Sequence, residues 1–300
     1  MKQMPWWVWL ITVVVVVAAF VAGVLMGARG PADTPGTDDG NGGVPPTGTV
    51  EPTGTPAAED TMQVRVYLAR GDRLGALARE VPRSEAVATA AMTALLEGPT
   101  AQEQAWGFGS QIPAGTTLRG VTIAGGTARV DLSGSYDDGG GTLSVTMRLA
   151  QVVYTLTQFE TVERVEFYMD GAKIDVFTGE GVMLDEPSTR GDASFEDVLP
   201  AIFAEAPTPG AVITSPLRVW GTSNTFEATY AVRVENAAGE MIAEHWGMAT
   251  SGSGTRGTFD ATITFDMPAA GTSGTVIFFE ESAKDGSEIN IVEIPVVFGP

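Results

Sequence analysis

AQVVYTLTQFETVERVEFYMDG, residues 150–171, changes its hydrophobic period halfway along, and the build of the first folded region follows from that change. Val145, Leu149, Val152, Val153 and Leu156 fall at the i, i+4, i+7, i+8, i+11 spacing that buries one stripe of a helix. Val165, Phe167 and Met169 then alternate with Arg164, Glu166 and Tyr168, the period of a half-buried strand. Asp170-Gly171 marks a turn, and residues 172–177 resume an extended pattern. No reactive group stands in this stretch. It is a scaffold.

Working outward, Val64, Val66 and Leu68 alternate as a strand. Ser84 is placed to cap a helix carrying Val87, Ala91, Ala94 and Leu95, and Gly98-Pro99 stops it. Residues 118–124 and 127–132 read as two strands joined by Gly125-Gly126, the shortest hairpin connection. After the loop DDGGG at 137–141, Thr142 or Ser144 caps the central helix. The order β-α-β-β-α-β predicts an α+β domain over residues 62–184, a small mixed sheet with helices on one face. Residues 185–199 read as a polar, acidic linker. Residues 200–300 are β throughout: Phe226, Ala228, Tyr230, Val232 and Val234 alternate, as do Phe259, Ala261, Ile263 and Phe265. Turns fall at Ala238-Gly239 and at KDGS, residues 284–287. About seven short strands at this spacing predict an antiparallel immunoglobulin-like sandwich.

Six motifs in the first region, VRVYL (64–68), LLEGP (95–99), IPAGTTL (112–118), VDLS (130–133), QVVYTLTQ (151–158) and the DG at Asp170, together resemble the GerMN domain of sporulation and germination proteins. The resemblance implies an extracytoplasmic domain related to the ring-building folds of envelope complexes, with no established catalytic residues. The second region, through residues 206–240, TFDATITF (258–265) and FFEESAKDG (278–286), resembles the bacterial spore-germination-associated immunoglobulin-like domain, which often follows GerMN. The Cys–Trp–Cys hallmark of antibody domains is absent, so only the sandwich architecture is implied.

Three hundred residues allow about two domains. A net charge of −20 repels phosphate backbones and argues against nucleic-acid binding. With no cysteine, disulfides, thiolate nucleophiles and a lipidated cysteine are excluded. Residues 6–26 form an uncharged apolar run of 21 residues, which as a helix spans ~32 Å against a hydrocarbon core of about 30 Å. Trp6, Trp7 and Trp9 suit an interfacial aromatic belt. A cleaved signal peptide is the alternative, but the run exceeds the usual apolar length and no small-x-small site follows it. The expectation is a transmembrane helix at 6–27 after a cytoplasmic end at 1–5. Lys2 before the span, against Arg29 after it, favours the N-terminus inside and the bulk outside. Residues 28–61 read as a disordered linker; its segment 31–60 holds six prolines, six glycines and six acids without a Lys or Arg. The acids Asp38-Asp39 there are a solvated tract and not a calcium loop.

Chemistry is scarce. His245 is the single histidine, too few for a zinc site that needs three or four His, Cys or carboxylate ligands, and no serine sits in a G-x-S-x-G elbow. GSGTRG at 252–257 matches G-x-G-x-x-G but precedes a strand, whereas the dinucleotide fingerprint opens a helix. Asp131, Asp137, Asp138, Glu160, Glu163 and Asp170 offer many carboxylate pairs, and spacing selects none. Trp106, Phe108, Trp220 and Trp246 fit core and turn positions better than a sugar-stacking face. No catalytic, cofactor-binding or metal-ligating residue is assigned and no cofactor is expected. The reading is a membrane-anchored, non-enzymatic envelope scaffold working through envelope proteins or self-association. Peptidoglycan binding through the sandwich is the alternative, and peptidoglycan hydrolysis a further one.

Overall fold

The computed structural model of the chain describes residues 60–177 and 181–300. The span expected at 6–27 and all but the end of the linker at 28–61 lie outside the described residues. Among the described residues, no helix is long and apolar enough to cross a membrane.

β1 (Thr61–Arg70) and β2 (Arg73–Pro82) form a full-length antiparallel hairpin, with Thr61 opposite Pro82 and Arg70 opposite Arg73. Gly71, at φ +64, makes the turn. α1 (Val87–Leu96) buries Ala91, Met92 and Leu95. Ser84 does not cap it: its Oγ accepts the Ala86 N–H at 3.1 Å, making a turn just before the helix, whose N-cap is Ala86. α2 (Ala101–Ala105) opens on a reciprocal capping box between Thr100 and Glu103. β3 (Phe108–Gly109) pairs with Ala69 and Arg70 on the second edge of β1. β4 (Leu118–Ala124) and β5 (Thr127–Leu132) form the expected hairpin. α3 (Thr142–Leu156) then crosses to β6 (Arg164–Met169), which runs parallel to β5 from Thr127↔Arg164 to Leu132↔Met169. Asp170 and Gly171, both at positive φ, turn into β7 (Ala172–Lys173), and β8 (Val176–Phe177) pairs with β9 (Val182–Met183).

The one small mixed sheet expected from the sequence is divided among the described residues into β2-β1-β3, the mixed β4-β5-β6-β7 and the two-stranded β8-β9. α3 does not lie on one outer face. It packs against β1, β2, β6 and α1, and every residue from Val145 to Leu156 is buried. Its N-cap is Gly141 and neither Thr142 nor Ser144 caps it; the Ser144 hydroxyl donates to Gln111 Oε1 at 2.8 Å.

Full burial needs the polar face of α3 to be satisfied. The Gln158 amide, just past the helix, accepts from Arg65 N and donates to Arg65 O, both at 2.7 Å. Thr155 Oγ1 accepts from Tyr67 N at 3.2 Å, and Gln151 Nε2 donates to Tyr67 O at 3.3 Å. Residues 151, 155 and 158 share one helical face. Along this stretch they take the place of a neighbouring strand and close the β1 edge. Arg148 spreads its donors over the carbonyls of Gln111, Tyr136 and Gly139.

The segment read as a linker at 185–199 is packed. Ser188 exchanges both backbone hydrogen bonds with Val165, and Phe195, Val198 and Leu199 are buried in the first core. Three apolar side chains in an otherwise acidic stretch are enough to anchor it.

β10 (Ile202–Ala206), β11 (Val212–Ile213), β12 (Leu217–Ser223), β13 (Thr229–Asn236), β14 (Met241–Met248), β15 (Gly257–Ile263), β16 (Ser273–Glu281) and β17 (Glu288–Phe298) follow. They form sheets β10-β12-β15 and β11-β17-β16-β13-β14 around a core that includes Val219, Val232, Phe259, Phe278 and Phe298. Phe226 is not part of the strand expected there. Glu227 and Ala228, at φ +53 and +61, make a turn that leaves Phe226 55% exposed, and the strand begins at Thr229. Gly221 lets β12 approach β10 closely: a Cβ there would lie 2.1 Å from Phe203 O.

Candidate functional site

The polar groups that the core cannot hide converge where the first domain, the 185–199 segment and β10 meet. Glu205, 3% exposed, sits in the apolar strand IFAEA. Its carboxylate accepts from the Tyr67 hydroxyl of β1 and from Arg190 Nη1, the latter at 2.7 Å. Arg190 also donates to Tyr67 Oη at 3.1 Å, Tyr154 O at 3.1 Å and Thr157 Oγ1 at 2.8 Å. Its guanidinium lies 4.6 Å from the Tyr154 ring centroid and 5.3 Å from that of Tyr67. Burial, and after it the Glu205 charge, pushes the Tyr67 hydroxyl well above the ordinary tyrosine range. Burial raises Tyr154 to about 12. For Arg190 burial works the other way, but Tyr67 and Glu205 hold it above its usual value. The cluster is a hydrogen-bonded clasp in which the Arg190 guanidinium faces the Glu205 carboxylate.

Further contacts extend the junction. Arg65 stacks over Trp220 at 4.6 Å and donates Nε to Glu205 O at 3.3 Å. Leu74 N donates to Val198 O at 2.7 Å, and Arg70 Nη1 to Glu293 O at 2.8 Å. Trp106 lies against Gly210, where a Cβ would come within 2.7 Å of the ring. Arg256 reaches back from the second domain to Glu196, with contacts of 2.7 and 3.1 Å. Beside these contacts is a cavity of about 490 Å³ with apolar walls, including Leu74, Phe108, Phe203 and Ile294, and with Arg70 and Arg73 also lining it.

The acids considered in the sequence do not assemble into a catalytic pair. Asp131 and Asp170 flank Arg119 at 3.5 and 3.4 Å and accept from Gly171 N and Gly134 N, which organises the turn after β6. Glu163 is exposed and pairs with its neighbour Arg164 at 3.4 Å, and Glu160 is exposed. The Asp138 carbonyl accepts from Arg148 at 3.4 Å. His245 is half-buried, 6.2 Å from the Tyr230 ring centroid. The GSGTRG loop fastens onto the preceding turn through Ser253 N to Thr225 O and Gly254 N to Asn224 Oδ1, then enters β15. Of the four aromatic residues singled out, Trp106 and Trp220 stand at the junction, Phe108 is buried and Trp246 is half exposed. Among the described residues, no group of three or more His, Asp or Glu side chains could hold a metal ion. The sequence reading missed Glu205 and Arg190. An acid within the apolar run IFAEA was the available cue, because a carboxylate there needs a buried cation.

The Germane family, described as sporulation and spore germination, matches residues 65–175, and the Gmad2 family, the immunoglobulin-like domain of bacterial spore germination, matches residues 201–287. The chain carries a Germane domain followed by a Gmad2 domain. Among solved structures, it is similar to the first GerMN domain of the sporulation protein GerM from Bacillus subtilis. That match has 27% identity and a TM-score of 0.37, and covers 44% of this chain and 100% of that one. It is also similar to the tandem GerMN domains of the same protein at 20% identity and a TM-score of 0.40, covering 68% of this chain and 62% of that one. Comparison with curated proteins gives no match. The Tyr67–Arg190–Glu205 clasp thus joins the Germane domain, through the segment between the two family matches, to the first strand of the Gmad2 domain.

Proposed function

We propose that the chain is a non-enzymatic scaffold or assembly protein of the cell envelope, held in the cytoplasmic membrane by residues 6–27 with both folded domains outside. The observation that carries this reading is the clasp. Tyr67, Arg190 and Glu205 use their buried polar groups to lock two domains into one body, which suits a part that transmits position rather than one that opens around a substrate. Other buried acids are also spoken for. Glu103 is bound by Arg79 at 2.5 Å, and Glu280 accepts from Phe226 N at 2.7 Å and Asn290 Nδ2 at 2.8 Å. Wall hydrolysis would need a carboxyl group raised by an apolar setting, whereas Glu103 is shifted downward: burial is the largest single influence and opposes its ionisation, but the hydrogen bonds from Arg79 and Thr100 and the Arg79 charge together outweigh it. The matches to two germination-associated families support a scaffold reading of this kind.

The test is incubation of the purified full chain in mild detergent with insoluble peptidoglycan, followed by assay of the supernatant for soluble sugar. No release is expected. Release that disappears when one specific acid is changed to Ala overturns the non-enzymatic reading, and pelleting without release turns it toward a wall-binding module.

A further inference from the structure

We propose that the cavity between the two domains binds a small apolar molecule carrying one carboxylate, and that Arg70 holds the charge. The site stands apart from the scaffold reading and adds to it a ligand that touches both domains.

The walls come from both sides of the junction. β2 and β3 supply Leu74, Ala76 and Phe108, β10 supplies Ile202 and Phe203, and β17 supplies Ile294, all of them buried. At about 490 Å³ the space falls within the ~300–1,000 Å³ of small-molecule sites, which are mostly apolar with a few placed polar groups. Arg70 is such a group. Its Nε donates to Trp106 O at 3.2 Å and its Nη1 to Glu293 O at 2.8 Å, one carbonyl from each domain. Its guanidinium lies 5.7 Å from the Phe108 ring centroid. Among the described residues no carboxylate pairs with Arg70, and its Nη2 has no hydrogen-bond partner. Elsewhere arginines are spent on acids, as Arg79, Arg190, Arg218, Arg233 and Arg256 are. Arg73 adds a second cation to the lining; its Nη1 donates to Asp197 O at 2.7 Å and its ion pair with the exposed Asp72 is long, 3.8 Å.

Charge chooses the occupant. A guanidinium fixed through two nitrogens, with the third free, offers a charge-assisted hydrogen bond beside apolar walls, where it is stronger than in water. A neutral apolar molecule would desolvate Arg70 and give it no partner. A cation would meet two like charges. A dianion such as a phosphate ester would meet the field of a chain of net charge −20 twice over, with a single free guanidinium nitrogen to bind it. A lone carboxylate on an apolar body fits, whether from an acyl acid or from the carboxy-terminal end of a short peptide. Glu293 also lines the space, but it is exposed and meets Arg70 through its carbonyl. Because the walls belong to both domains, a bound acid reinforces the joint that Tyr67, Arg190 and Glu205 make.

Titration calorimetry of the full chain in mild detergent tests this with two pairs of probes: octanoate and octanamide, and an acetylated apolar tripeptide as its free acid and as its amide. At least one acid is expected to bind with a Kd of about 0.1–1 mM, and its amide about tenfold or more weakly. Whichever acid binds tighter names the source. Arg70→Gln is expected to weaken that acid by about tenfold or more and to leave the amide unchanged. Partition into micelles is common to both proteins and cancels. Arg70 also ties Trp106 to Glu293, so a second variant keeps it: Ile291→Trp, at a half-exposed position on the cavity wall, is expected to exclude the acid with an unchanged circular dichroism spectrum. No binding of either acid at millimolar concentration overturns the proposal, as does equal binding of acid and amide. Binding indifferent to both variants overturns the cavity as the site, and tighter binding of octyl phosphate overturns the carboxylate assignment. The sugar-release assay decides the scaffold reading separately, whatever the calorimetry shows.

Discussion

Glu205 and Arg190 lie 2.7 Å apart, the acid almost fully buried on the first strand of the sandwich and the arginine on the segment that leads into it. Arg190→Ala strands the carboxylate beside the Tyr67 hydroxyl, and removing one partner of a buried pair costs about 3–5 kcal/mol. Urea unfolding of that variant is expected to show a loss of this order. Replacing Arg218 of the exposed Arg218–Asp260 pair is expected to leave the urea midpoint nearly unchanged.

Alkaline titration should separate the tyrosines. The folded-state values of Tyr67, Tyr136 and Tyr154 are raised, with Tyr154 at about 12, and burial is the main cause in each. A raised folded value stabilises the protein fully below the unfolded value, near 10, and that contribution is lost as pH rises toward and past the folded one. Absorbance at the phenolate band should therefore show these three ionising together with unfolding above about pH 10.

In acid the sign reverses. Burial opposes the ionisation of Glu103, but the Arg79 and Thr100 hydrogen bonds and the Arg79 charge together lower it, so its contribution is present above the ordinary glutamate value and lost as pH falls below it. Glu103→Gln is expected to flatten the dependence of stability on pH between about 3 and 5, as read from thermal melts.

Gln158→Ala tests the closed edge of β1. It leaves Arg65 N and O without the amide that binds both, an expected loss of about 1–3 kcal/mol. Hydrogen exchange should quicken at the Arg65 amide well before it does at Val232, in the middle of the second core.

Much of this build was readable in the residues, and where it was not, long-range contacts made the difference. The 118–132 hairpin and the alternation of Val165 and Phe167 need only local period and a Gly-Gly turn, so they stand as expected. β2 was missed because RLGALAREVP is rich in residues that favour helices; pairing with β1 along its whole length makes it a strand. The apolar stripe of α3 was visible. The burial of its opposite face was not, because Arg148, Gln151 and Thr155 read as solvent-facing until carbonyls and amides far along the chain meet them. Phe195 and Glu205 show the same limit: an apolar side chain in an acidic segment joins the first core, and an acid in an apolar strand accepts from Tyr67, far back in the chain.

The most direct measurement is urea unfolding of the full chain followed by hydrogen exchange on peptides around Tyr67 and around Val232. If the clasp makes the two domains one body, both regions lose protection at the same urea concentration, and Arg190→Ala separates them. Two well-separated transitions in the unmodified chain would contradict a rigid two-domain scaffold.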